Sequence, residues 1–125
     1  PYHWSYPYKG NKAFVDEFKK RDKVLPDTTA GAGYVCVQIL ANAVERSGTL
    51  EKEKIRDAIA STDMMTIMGP IRFEADGTPK MYGPDGKILA IGGMSQWIDG
   101  KQELVWPPDL ATAPLAYPAK PFKNR

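Results

Sequence analysis

Histidine and cysteine are almost missing from this chain, which carries one of each, His3 and Cys36, in 125 residues. Zinc sites draw on several such ligands, so a metal centre built from them is excluded. A single cysteine closes no intrachain disulfide, and cysteine usage therefore leaves the redox compartment undecided. A Cys36–His3 nucleophilic pair fares little better. Cys36 stands in an aliphatic helical run where a thiolate is disfavoured, and the expectation is a buried, reduced, structural thiol. No apolar run approaches the roughly 18 residues that a membrane span needs. Excess charge is scarce too: the net value is +2, too small to imply nucleic acid or an acidic membrane surface as partner. The basic cluster Lys19, Lys20, Arg21 and Lys23 suits the solvated end of a helix. No Met precedes "PYHWSYPYKG". The expectation is a segment of a longer protein, whose signal peptide is not in this sequence.

Other chemistry is excluded by spacing. "GAGYVC" has two glycines but follows a loop rather than a strand and lacks the third glycine of a phosphate-binding turn. Glu74 and Asp76 in "IRFEADG" stand at alternate positions, a spacing that lets two carboxylates face one way as an acid–base pair does, yet beside a turn they read as surface carboxylates. No credible active site emerges, no cofactor is implied, and the expectation is that the protein is not an enzyme.

The chain is organised as helices first, then strands. Residues 1–10 are aromatic and proline-rich, which forbids a continuous helix. Their aromatics either pack on a core or line a cleft. Asn11 reads as the N-cap of a helix to about Lys23, with Phe14, Val15 and Phe18 on one face. "LPDTTAGAG" breaks that helix, and Thr28 or Thr29 caps the next, about Ala30 to Ser47. This second helix is apolar around most of its circumference, leaving a polar stripe of Gln38, Asn42 and Glu45, so it needs cover on several sides. Gly48 ends it. A third helix runs from about Leu50 to Ser61, with Leu50, Ile55, Ala58 and Ile59 inward.

Past Thr62 the apolar period becomes two, which predicts strands near 66–73, 88–93, 94–98 and 102–106. Asp99-Gly100 marks a two-residue hairpin turn; Asp76-Gly77 and Asp85-Gly86 mark further bends. The proline-rich tail "PPDLATAPLAYPAKPF" reads as extended. The central helix wants a sheet on its flank, and the strands that follow are few. The fold class is α/β, as part of something larger.

Binding groups are more promising than catalytic ones. Thr28, Thr29, Ala30 and Gly31 stand where a helix begins, with small side chains and unpaired N–H groups that suit an anion. The same threonines also serve as ordinary caps. Tyr2, Trp4 and Tyr6 have rings to stack on a ligand or to fill a core.

The order "AFVDEFKKRDKVLPD", "GYVCVQILANAVERSGTLEKEKIRDAIAST", "TIMGPIRFEADG" and "SQWIDGKQELVWPPDLATA" resembles the C-terminal third of bacterial solute-binding proteins of ABC importers. The subgroup is the one whose type members bind leucine, isoleucine and valine, with a type I periplasmic binding fold. The resemblance implies two α/β lobes joined by three crossings, with ligand held between them. It divides the chain into an interlobe segment, 1–8, a helical part of the first lobe, 9–75, the last hinge crossing, 76–87, and strands and tail of the second lobe, 88–125. A stretch that bends twice and carries no chemistry fits a hinge. The implied partners are a small-molecule ligand (an amino acid or an aromatic or other organic acid), an inner-membrane permease and the rest of the same protein. The implied location is periplasmic. Implied ligand contacts are Thr29, Ala30 and Gly31, with Tyr2, Trp4 and Tyr6 tilting towards an aromatic or other organic acid. Flanking sequence separates transport from a sensor domain of the same fold, and activity assays would test a small standalone α/β enzyme. An uncovered central helix predicts self-association of the segment.

Overall fold

The computed structural model describes residues 2–80 and 92–121. Helices α1 (Asn11–Asp22), α2 (Thr28–Ser47) and α3 (Lys52–Ala60) come first. Strands β1 (Asp63–Thr66), β2 (Gly69–Arg72), β3 (Met94–Ile98) and β4 (Lys101–Trp106) follow, and a 3-10 turn occupies Pro108–Leu110. β1 pairs antiparallel with β2, and β3 with β4, as separate two-stranded sheets among the described residues. Isolated two-stranded hairpins are marginal in water, so both depend on what they pack against.

α2 organises the packing. Gly31, Val35, Ile39 and Ala43, four residues apart, form its buried row. Val35 and Ile39 share one cluster with Tyr2, Tyr6, Ile67 and Leu104, drawn from the amino-terminal segment, the β1–β2 turn and β4. The opposite side of the helix is apolar yet open: Tyr34, Val37 and Leu40 are 43%, 65% and 48% exposed. Cys36 is also exposed, contrary to the buried thiol expected, because it lies outside the four-residue row. At the far end Arg46 ties α2 to the exit of α3. It donates to Asn42 Oδ1 (2.8 Å), Ser61 Oγ (3.1 Å) and the Ala58 carbonyl.

The helix starts differ from the sequence reading in a common way. α1 is preceded by Gly10 in the left-handed region (φ 87°), and Asn11 is its first residue, not its cap. The Asn11 side chain turns inward, where it is 1% exposed. For α2 the cap is Asp27 rather than Thr28 or Thr29, its carboxylate accepting from the Ala30 N–H at 2.8 Å. Thr28 instead donates to the Tyr2 carbonyl at 3.3 Å. The end of α2 at left-handed Gly48 is as expected. α3 begins at Lys52, and Leu50, expected inward, is 79% exposed before it.

The stretch expected as one strand over 66–73 is a hairpin. Thr66 Oγ1 donates to the Gly69 carbonyl (2.8 Å) and accepts from the Met68 N–H (3.1 Å), closing a tight turn at Ile67-Met68. Ile67, at the tip, is fully buried, and its N–H donates to Gln38 on α2. An apolar tip inserted into the core looks like strand to a periodicity argument. Beyond β2 the Asp76-Gly77 bend is present, with Gly77 at φ 87°. Hydrogen bonds from the Thr78 N–H and hydroxyl hold the Asp76 carboxyl below its ordinary pKa. Asp85-Gly86, and most of the strand expected at 88–93, lie outside the described residues.

The β3–β4 hairpin turns at Asp99-Gly100, both with positive φ (49° and 78°), as the dipeptide predicts. The tail straps across it with main-chain bonds from the Thr112 and Ala113 N–H groups to the Leu104 carbonyl (2.7 and 3.3 Å) and with side-chain bonds, without forming a ladder. Thr112 accepts from the Leu104 N–H and donates to Glu103, the Gln96 amide exchanges two 2.9 Å bonds with the Ala116 main chain, and Lys120 pairs with Asp99.

Replacing Asp27 with Ala leaves the Ala30 N–H without its cap. The expected loss is about 1 kcal/mol of unfolding free energy in urea. An unchanged midpoint would show that the cap carries no stability.

Candidate functional site

The amino-terminal segment folds back on itself because one side chain satisfies it from within. Asn11 Oδ1 accepts from the Tyr2 hydroxyl at 2.8 Å, and Nδ2 donates to the carbonyls of Trp4 (3.0 Å) and Tyr6 (2.7 Å). An amide has two donors and one acceptor atom, and all three are used here. The rings then pack edge to face: Tyr2 on Tyr6 at 6.2 Å, Tyr2 on Phe14 at 5.9 Å, Tyr6 on Tyr8 at 5.7 Å. Burial raises the pKa of both Tyr2 and Tyr6, with the nearby Tyr8 adding to the rise at Tyr6.

Tyr2 and Gly31 are built around each other. A Cβ on Gly31 would stand 2.2 Å from the Tyr2 ring, so only glycine lets the ring lie against α2. Tyr2 and Tyr6 are each 4% exposed and belong to the core. Trp4 is half-buried, packed on the outside of that core with His3 beside it at 5.1 Å. Thr29 is exposed and Ala30 half-buried at the head of α2. Of the six residues singled out by sequence, the structure joins Tyr2, Tyr6 and Gly31 in one packed unit. It places Thr29, Ala30 and Trp4 nearer the surface.

A polar recess of about 170 Å³ opens beside this unit, where Tyr2, Tyr6 and Thr28 meet Ser95 and Gln102 of the hairpin. His3 closes one side: its Nε2 reaches the Gln102 carbonyl at 3.1 Å and its Nδ1 reaches Ser5 Oγ at 2.7 Å. Asp27 bears on what α2 can hold. Its carboxylate already stands at the helix head, so an anion arriving there meets a like charge. Sequence reasoning missed Asn11 as the hub and Gln102 as a neighbour of His3. The first mimics a helix cap, and the second lies 99 positions away with no local signal.

Comparison with known proteins agrees with this architecture. The family model described as "Periplasmic binding protein" matches residues 1–83. The leucine-, isoleucine-, valine-, threonine- and alanine-binding protein of Pseudomonas aeruginosa is 26% identical over 72 residues, 58% of this chain and 19% of that protein. A leucine-binding protein from Thermotoga maritima aligns in three dimensions with a TM-score of 0.66 at 24% identity, across 86% of this chain and 29% of its own. An ABC transporter solute-binding protein from R. palustris, in complex with benzoate, aligns with a TM-score of 0.66 at 21% identity, across 90% of this chain and 28% of its own. The chain thus spans between 19% and 29% of the length of these relatives. The two solved structures share its fold, and on the match over residues 1–83 the chain belongs to the periplasmic binding protein family.

Proposed function

We propose that this chain is the carboxy-terminal segment of an extracytoplasmic solute-binding protein that serves an ABC importer. It captures a small organic acid or amino acid by closing two lobes and presents the closed form to a membrane permease. The observation that carries the reading is the family match over residues 1–83, which includes both the aromatic segment and the head of α2. The work is binding: a ligand touching both lobes stabilises the closed state by its differential affinity, and no bond is broken. Hinge closure around a ligand is the general device, with periplasmic binding proteins among its examples. The last crossing falls at residues 76–87, of which 76–80 are described.

In this reading Thr29 and Ala30 touch the ligand's body, together with the open part of Trp4. Tyr2, Tyr6 and Gly31 hold that wall rigid from behind. The Asp27 cap argues that a ligand carboxylate binds elsewhere, on the remainder of the protein. The aromatic segment favours an aromatic or other organic acid. A benzoate-bound relative and one named for branched-chain amino acids mark the two classes to test. Calorimetric titration of the full-length protein with leucine and with benzoate is expected to give saturable one-to-one heat with one of them. Thr29→Trp, which fills the wall, is expected to weaken that binding at least tenfold, about 1.4 kcal/mol. No heat with either class, or unchanged affinity in Thr29→Trp, would contradict the assignment.

The remainder of the protein is also the proposed cover for the open face of α2. Phe14, Phe18, Tyr34 and Val37 line a groove between α1 and α2, with the Phe14 and Tyr34 rings in tilted contact at 4.6 Å. Left uncovered, such a face drives association. The isolated 13.9 kDa chain is expected to sediment as an oligomer, and Val37→Glu combined with Leu40→Lys is expected to shift it towards monomer. A monomer for the unaltered chain at high concentration would overturn this.

A further inference from the structure

We infer that the polar recess beside the aromatic segment is a specificity subsite, in which Ser95 and Gln102 receive an uncharged hydroxyl or carboxamide group of the ligand. The inference rests on the solute-binding reading above and names the part of the ligand that meets the β3–β4 hairpin.

The pleat aims both side chains into the recess. Leu104 faces the core, and Gln102, two residues before it in β4, lies on the same face. Ser95 stands opposite Leu104 in the register, so it shares that face as well. All three line the recess, across from Thr28 at the head of α2. β4 is pinned at both positions. The Gln102 carbonyl is bonded to His3 at 3.1 Å, and the Leu104 carbonyl receives the Thr112 N–H at 2.7 Å. Groups that select a ligand need such support, because a side chain on a shifting backbone loses its direction.

Most polar groups of the recess are already engaged within the fold. The Tyr2 hydroxyl bonds to Asn11, the Thr28 hydroxyl to the Tyr2 carbonyl, and the two His3 ring nitrogens to Ser5 and Gln102. Among the described residues, neither Ser95 Oγ nor the Gln102 side-chain amide is joined to a protein partner. Each of these two groups can both donate and accept. No Lys, Arg, Asp or Glu lines the recess among the described residues. A carboxylate would therefore find no free cationic donor there, and an ammonium no anion. A group without charge that itself donates and accepts fits both side chains. At about 170 Å³ the recess has room for several waters, or for such a substituent in their place.

The test is calorimetric titration of the full-length protein with benzoate against its three monohydroxylated forms, and with valine against threonine. One hydroxylated form is expected to bind about tenfold more tightly than its parent, the factor that one or two neutral hydrogen bonds supply. In Gln102→Leu and in Ser95→Ala that ratio is expected to fall towards one. Binding with no preference for a hydroxyl, or a preference that persists in both variants, would overturn the subsite and leave the solute-binding reading standing. Absence of heat with every compound would instead contradict the solute-binding reading, and the subsite with it. Ser95 is exposed and small, so if Gln102→Leu fails to fold, the Ser95→Ala comparison decides alone.

Discussion

The arrangement depends on the Asn11 amide. Its three hydrogen bonds to the Tyr2 hydroxyl and to the Trp4 and Tyr6 carbonyls convert a proline-rich stretch that could not be helical into a compact, buried plug. Each bond replaces a contact with water that burial has removed, and a buried polar group without a partner costs about 1–3 kcal/mol. With the plug in place, the Tyr2 ring can lie on Gly31 and Tyr6 can reach Leu104. One cluster then joins α2 to β4, although β3–β4 makes no ladder with β1–β2. A helix, two hairpins and a tail, each marginal alone, acquire a common core through a segment of seven residues, 2–8.

The same core explains what is left open. α2 buries one four-residue row and shows an apolar face on its opposite side, and a domain of this size ordinarily hides such a face. The relatives are about three times as long as the chain, and in the proposed reading that face meets the rest of their fold. The strap of the tail across β3–β4 follows a related logic. Side chains of Gln96, Glu103 and Asp99 hold this proline-rich tail, beside the main-chain bonds that Thr112 and Ala113 donate to the Leu104 carbonyl.

Much of this was legible in sequence. Phe14 and Val15 mark α1, the aliphatic run after Tyr34 marks α2, and Asp99-Gly100 marks the hairpin, because each signal is local and physical. The family resemblance carried the fold. The errors lie where a side chain does an unusual job at short range. Asn11 and Thr28 have cap chemistry yet bond elsewhere, Asn11 from a buried position and Thr28 from the surface, since the groups they satisfy belong to the folded-back segment. Ile67 has strand character yet sits at a turn, because Thr66 makes that turn's hydrogen bonds. Cys36 was expected inside because all its neighbours are apolar; the row that is buried is set by the partner elements, which composition does not reveal. The contact of His3 with Gln102 could not be read at all, since it exists only once the chain has folded.

The central claim is that Asn11 and Leu104 belong to one cooperative unit. A double-mutant cycle in urea, with Asn11→Ala, Leu104→Ala and the pair, tests it most directly. If the plug couples the hairpin to α2, Leu104→Ala costs less once Asn11 is gone, with a coupling energy of about 1 kcal/mol or more. Additive costs, within about 0.3 kcal/mol, would mean that the hairpin and the aromatic segment are independent.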